Sequence, residues 1–146
     1  MAVLACAALA VASLWYLQAP PRTPGAYRQR AADSLDTLRS NVESARLWIA
    51  TSAEGKALRT SEVVALREAD EDASAAAAGF GSLDPPRGTT GDREDFARIG
   101  DEVEAALSGL RILAGRGDWP AVERAAGVLP RLSDRLERLA SRERAR

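Results

Sequence analysis

The sequence predicts an all-α protein, with an N-terminal transmembrane (signal-anchor) helix followed by an antiparallel up-down four-helix bundle. Three observations carry this expectation. Ala supplies 30 of the 146 residues, and together with Leu, Arg and Glu it gives a helix-forming composition poor in β-branched residues. Residues 1–21 contain no charged side chain, and Ala2 to Ala19 is almost wholly apolar. Beyond residue 22, apolar residues recur at steps of three and four in four stretches, and no strand-like alternation competes with them.

Residues 1–21 form the first element. Eighteen helical residues rise about 27 Å, close to the roughly 30 Å of a bilayer's hydrocarbon core. Leu4, Leu9, Leu14 and Leu17 favour insertion, Ser13 and Gln18 oppose it, and Trp15 and Tyr16 sit where an aromatic belt meets the headgroups. Pro20 and Pro21 end the helix. A cleaved signal peptide would carry a basic stretch ahead of its apolar core, whereas this core begins at residue 2. An uncleaved single-pass anchor through Ala2–Ala19 is therefore expected, with the lipid bilayer as its partner. Its orientation is contested. Arg22, Arg28 and Arg30 after the span favour a cytoplasmic bundle by the positive-inside rule, while an apolar segment so near the N-terminus suits export. The expectation adopted is a bundle on the outer side of the cell membrane.

Residues 22–146 form the bundle, with helices expected at about 24–54, 60–80, 92–114 and 118–142. Thr23 before Pro24 is an N-cap with proline at the first helical position. The first stripe is Ala31, Leu35, Leu38, Val42, Ala45 and Ile49, and Gly55 stops it. Asp36, Arg39, Glu43 and Arg46 alternate in sign on a face expected to support itself through neighbours three and four apart. Thr60 or Ser61 is the expected cap of the second helix, whose stripe is Val63, Leu66, Ala69, Ala73, Ala76 and Phe80. Residues 81–92 are the expected loop. The third stripe is Phe96, Ile99, Val103, Ala106, Leu110 and Leu113, a regular 3-4-3-4-3 spacing. Asp118 caps the fourth helix, which carries Val122, Ala125, Leu129, Leu132, Leu136 and Leu139 and is interrupted by Pro130. A proline inside a helix costs about 3 kcal/mol, so either a kink or a restart is expected there.

The residues that are missing restrict the chemistry. There is no His, which excludes a Ser-His-Asp triad, a His-ligated zinc and a di-iron Glu-x-x-His site. The single Cys6 lies in the apolar run and cannot form a disulfide within the chain. A net charge of −1 argues against a nucleic-acid partner. The acidic run Glu68, Asp70, Glu71 and Asp72 lacks a calcium loop and reads as a solvated face. Arg116-Gly117-Asp118 is a short tripeptide whose Asp already caps a helix, and no Gly-Lys-Ser/Thr ending makes the nearby glycines a phosphate loop. No catalytic residue, cofactor or metal is expected.

Two surfaces stand out. Leu47, Trp48 and Ala50 surround Ile49, so the first helix is apolar on every side there and offers a surface to a protein partner or a second copy. Arg131, Arg135, Arg138 and Arg142 share one face of the last helix. An up-down topology returns that helix towards Arg22, Arg28 and Arg30, so these seven arginines are candidates for contact with anionic headgroups.

The apolar leader, the preference for Arg over Lys, Ala45-Arg46-Leu47 running to Gly55-Lys56, and the Ala-rich second helix leading to Asp84-Pro85-Pro86 resemble exported or membrane-anchored helical proteins of high-GC bacteria. The resemblance implies a location and a helical fold, with no activity attached. The function expected is a membrane-anchored interaction or scaffold module without catalysis. A sensory or ligand-binding bundle acting through a partner is the first alternative. A hydrolase using carboxylates alone, which would need two acids in one cleft, is the more distant one.

Overall fold

A computed structural model describes residues 23–56 and 58–146, and all its regular structure is helical. The expected membrane segment, with Ala2–Ala19 and Arg22, lies outside the described residues. Among those described, no helix is long and apolar enough to cross a membrane.

Helix α1, Pro24–Ala53, is the longest, at 30 residues and about 45 Å. The Thr23 hydroxyl accepts the Ala26 N–H at 3.2 Å, satisfying one of the free donors at the helix start. At the other end the Gly55 N–H donates to the Ser52 carbonyl and the Lys56 N–H to the Thr51 carbonyl, both at 3.0 Å. That pair of bonds is a Schellman turn, and it places Gly55 at φ +71°, where a Cβ would be strained. The same device closes α3 (Thr90–Gly115): Gly117 sits at φ +74°, and its N–H and that of Asp118 return to Ala114 and Leu113.

Helix α2, Arg59–Gly81, begins earlier than the sequence suggests. Its N-cap is Leu58, which has no capping side chain, and the expected caps Thr60 and Ser61 lie inside the first turn. Arg59 at this start pairs within the first turn with the buried carboxylate of Glu62 at 3.1 Å, and makes tertiary contacts with Glu123 at 3.7 Å and with the Trp119 ring, over which it lies at 4.6 Å.

The last helical stretch restarts at its proline. Helix α4, Trp119–Ala125, capped by Asp118 on the Ala121 N–H at 3.1 Å, passes through a 3₁₀ turn at Ala126–Val128 into α5, Leu129–Arg144. Pro130 thereby falls in the first turn of α5, where its missing N–H removes no helical bond.

Side-chain pairs between helices give their senses. Asp70 meets Arg111 and Ser74 meets Glu104, which sets α2 antiparallel to α3. Arg39 with Glu137 and Asp36 with Arg144 set α1 antiparallel to α5. Glu102 with Arg135 and Asp95 with Arg142 do the same for α3 and α5. Tyr27 at the start of α1 lies 5.0 Å from Phe80 at the end of α2, and Phe80 lies 4.0 Å from Phe96 near the start of α3. These aromatics close the end of the bundle from which α1 begins.

The core follows the sequence stripes with changes of phase on two helices: on α5 the expected Leu139 is half-buried and Ala140 is buried, and α3 shifts in the same sense, while on α2 the expected Val63 and Ala76 are half-buried. All six expected residues of α1 are buried, along with Tyr27 and Ala32. In α3 the expected Ala106 and Leu113 are only half-buried, and Leu107 and Ala114 take the core positions. An exact 3.5-residue repeat drifts by roughly 20° per heptad on a straight helix. Ala114 lies eighteen residues from Phe96, which is about five full turns, so it sits directly over Phe96 while Leu113 is displaced by about 100°.

Candidate functional site

The two ends of the bundle differ in chemistry. Six large apolar side chains are exposed among the described residues: Leu47, Trp48, Leu58, Val64, Ile112 and Val128. They come from the end of α1, the start of α2, the end of α3 and the turn before α5. Every one therefore belongs to the end far from Thr23. Of the three surface residues expected from the sequence, Leu47 is 67% exposed, Trp48 is 38% exposed and Ala50 is exposed as well. Leu47 and Ala50 line one shallow depression with Ser40, Glu43, Ser44 and Arg46, while Trp48 stands outside it. Leu58, Val64, Ile112 and Val128 are additions that only the fold brings to the same end. Their sequence signal is a weak one, since Val64 and Ile112 each sit one residue off an apolar stripe.

The near end is held by charge. The Asp92 carboxylate is buried and receives two guanidiniums, Arg28 Nε at 3.0 Å and Arg146 Nη1 at 2.7 Å. Asp36 receives Arg144. The C-terminal residues thus pack against the fourth turn of α1, through Asp36, and the first turn of α3, through Asp92. Beneath these pairs lies Tyr27, whose buried hydroxyl has no hydrogen-bond partner among the described residues, and the same is true of one buried oxygen of Glu143. Burial pushes the Tyr27 phenol up, Arg93 opposes the shift, and Asp92 and Glu143 add to it.

The expected basic face is divided by the fold. Arg28 is committed to Asp92, and Arg30 is half-buried on α1. On α5, Arg135 pairs with Glu102, and Arg142 pairs with Asp95 at 2.5 Å and with Glu143 at 3.3 Å. Arg131 and Arg138 are exposed and make no ion pair among the described residues. Because α5 runs along the bundle, these arginines climb its side, and only the last turn and Arg146 reach the near end. The Arg142 hydrogen bond, with help from Arg98, holds the Asp95 carboxyl below its ordinary range.

Two further groups change meaning. Asp70 is not on a solvated face: it is buried and accepts Arg111 Nε at 2.7 Å, while Arg67 and Glu71 do pair along the helix at 3.8 Å. Among the described residues, no set of three or more His, Cys, Asp or Glu side chains is placed to hold a metal. A groove of about 440 Å³ opens between α2 and α3. Ala77, Phe80, Phe96 and Gly100 form its apolar walls, and Arg93, Asp101 and Glu104 its charged rim. The space exists because Ala77 and Gly100 carry almost no side chain, and a Cβ on Gly100 would rest 3.6 Å from that of Ala77.

No family model matches the chain, and no curated protein or solved structure is significantly similar to it.

Proposed function

We propose that the chain is a non-catalytic interaction module, held at the cell membrane by residues 2–19 with its bundle on the outer side, and meeting a protein partner or a second copy through the far end. The observation that carries this reading is the gathering at that end of the six large apolar side chains exposed among the described residues. Exposed apolar side chains gathered at one end, with none of their size elsewhere on the described surface, single that end out as the candidate association surface. Trp48 adds an aromatic anchor of the kind enriched at binding hot spots. It lies 25 residues beyond Thr23, about 37 Å along α1, so a partner would be engaged well clear of the bilayer.

Photo-crosslinking in intact cells tests this directly. A photoreactive amino acid at Leu47, Trp48 or Ile112 should give one discrete adduct, and the same group at exposed Ala75 on the bundle's side should give none. A band at twice the chain's mass would identify a second copy. Adducts of equal yield from both regions, or none at the far end, would refute the reading.

The groove between α2 and α3 favours a second reading, a bundle that binds a small amphipathic ligand. Its volume lies in the range of small-molecule sites, and its walls are apolar with a few charged groups at the rim. Gly100→Leu would fill it, so a ligand that raises the melting temperature of the wild type should lose its effect on this variant. A shift that persists would place the ligand elsewhere.

A further inference from the structure

The groove between α3 and α5 is lined by Asp95, Arg98, Arg135, Arg138, Leu139 and Arg142, with a volume of about 440 Å³. Four guanidiniums from two helices therefore face one open space. The nearby acids serve to position them. Asp95 accepts from Arg98 on its own helix and from Arg142 at 2.5 Å across the groove, and Glu102 accepts from Arg135. Glu143, the third acid, is buried behind Arg142. Arg138 stands between Arg135 and Arg142 and makes no ion pair among the described residues. Each guanidinium carries five N–H donors, and the ion pairs occupy only some of them. Fixed arginines with spare donors around Arg138 make an arrangement suited to a tetrahedral oxyanion.

We infer that this groove binds a phosphoryl group. Side-chain ordering is a cost that anion binding normally carries, and here Asp95 and Glu102 have already fixed three of the four arginines. The groove is open to solvent, so the phosphoryl group can be borne by a larger molecule. Two sources share this chemistry, a soluble phosphorylated compound and a phospholipid headgroup. Arg142 lies within the last turn of α5 and Arg138 about 9 Å from its end, which keeps the groove close to the end of the bundle where α1 begins. The headgroup source rests on the membrane-anchor reading; the soluble source does not.

The test uses the full chain in a zwitterionic detergent, following arginine Nε–H signals by NMR during titration with inorganic phosphate at constant ionic strength. Saturable shifts at Arg98, Arg135, Arg138 and Arg142 are expected. Arg138→Gln should weaken the binding about tenfold, since a charge-assisted pair to phosphate is lost. Arg131→Gln, on the same helix but outside the groove, should leave it unchanged. Both residues are exposed and make no ion pair among the described residues, so thermal melts should overlay the wild type. Shifts that fail to saturate, or equal weakening by Arg131→Gln and Arg138→Gln, would overturn the proposal by showing diffuse attraction only. Phosphate binding is then compared in a detergent without a phosphate group and in phosphatidylcholine nanodiscs, whose surface carries no net charge. Weaker phosphate binding in the nanodiscs makes the headgroup the occupant, and equal binding makes it a soluble phosphoryl compound.

Discussion

The phase of α3 can be tested by two leucines that sequence and structure rank in opposite order. Leu113 lies on the apolar stripe of the sequence, whereas in the fold Leu107 is fully buried and Leu113 half-buried. Replacing either by Ala removes three carbons beyond Cβ. At about 0.8 kcal/mol for each, the transfer loss at Leu107 is about 2.4 kcal/mol, and the cavity left behind brings the total to about 3 kcal/mol or more. A half-buried Leu113 forfeits about half of the transfer part, roughly 1 kcal/mol, and leaves a gap open to solvent. Urea denaturation followed by far-UV circular dichroism reads the difference. With a slope of about 2 kcal/mol per molar urea, the Leu107→Ala midpoint should fall about 1 M below that of Leu113→Ala, with the slopes unchanged. An equal or larger loss for Leu113→Ala would mean that α3 is rotated by about one residue from the orientation described.

Three other predictions concern single groups. Tyr27→Phe removes a buried hydroxyl without a partner, so it should leave stability unchanged or raise it by about 1 kcal/mol, and a loss larger than that in thermal melts would show that the hydroxyl is satisfied. The same substitution should flatten the alkaline limb: with the folded phenol raised, stability present below the ordinary value of 10.0 is lost as pH rises from there through the folded value, and Phe has nothing to lose. Asp95→Asn should lower the melting temperature at neutral pH by a small amount, because 30% of the Asp95 side chain is exposed and its pairs are screened. Its folded pKa is depressed below 3.8, so the contribution is present above that value and disappears as pH falls through the folded one; a gap between variant and wild type that stays constant into acid would refute the pairing. Pro130→Ala should change stability by less than about 1 kcal/mol, since the 3₁₀ turn already places the proline in a first turn, and a gain near 3 kcal/mol would reveal a helix that the proline breaks.

The contrast between what sequence reveals and what it hides follows the range of the interactions. The helical class, the four helical stretches and the caps at Thr23, Gly55, Gly117 and Asp118 depend on residues within one turn of each other, so the sequence displays them. Arg59 at the start of α2 reaches Trp119, sixty positions away, and no local pattern announces that. Charge partners are hidden for the same reason. Asp36, Arg39, Glu43 and Arg46 look like an intrahelical ladder, yet only Glu43 and Arg46 pair along α1, while Asp36 and Arg39 turn to Arg144 and Glu137 of α5. The surface around Leu47, Trp48 and Ala50 is legible as apolar residues off a stripe. Its extension by Leu58, Val64, Ile112 and Val128 requires knowing which helix ends meet. The arginines of α5 are legible as a face, but Arg98 and the acids that turn three of them into a groove come from α3.

Salt separates the two proposed surfaces. Screening shortens from about 8 Å at physiological ionic strength to about 3 Å at 1 M, which weakens the attraction of Arg138 for a phosphoryl group. Apolar association responds in the opposite sense, because strongly hydrated salts such as sulfate favour burial of apolar surface. Schellman turns, each with a glycine at positive φ, close α1 and α3 at the far end, and on the proposed reading the apolar side chains beside them are covered by another molecule. Adducts at Trp48 should accordingly persist or increase as salt is raised, while the phosphate affinity of the α3–α5 groove declines. If adduct yield at Trp48 fell in step with phosphate binding, a single electrostatic surface would account for both, and the division of the bundle into an apolar end and an anion-binding side would be wrong.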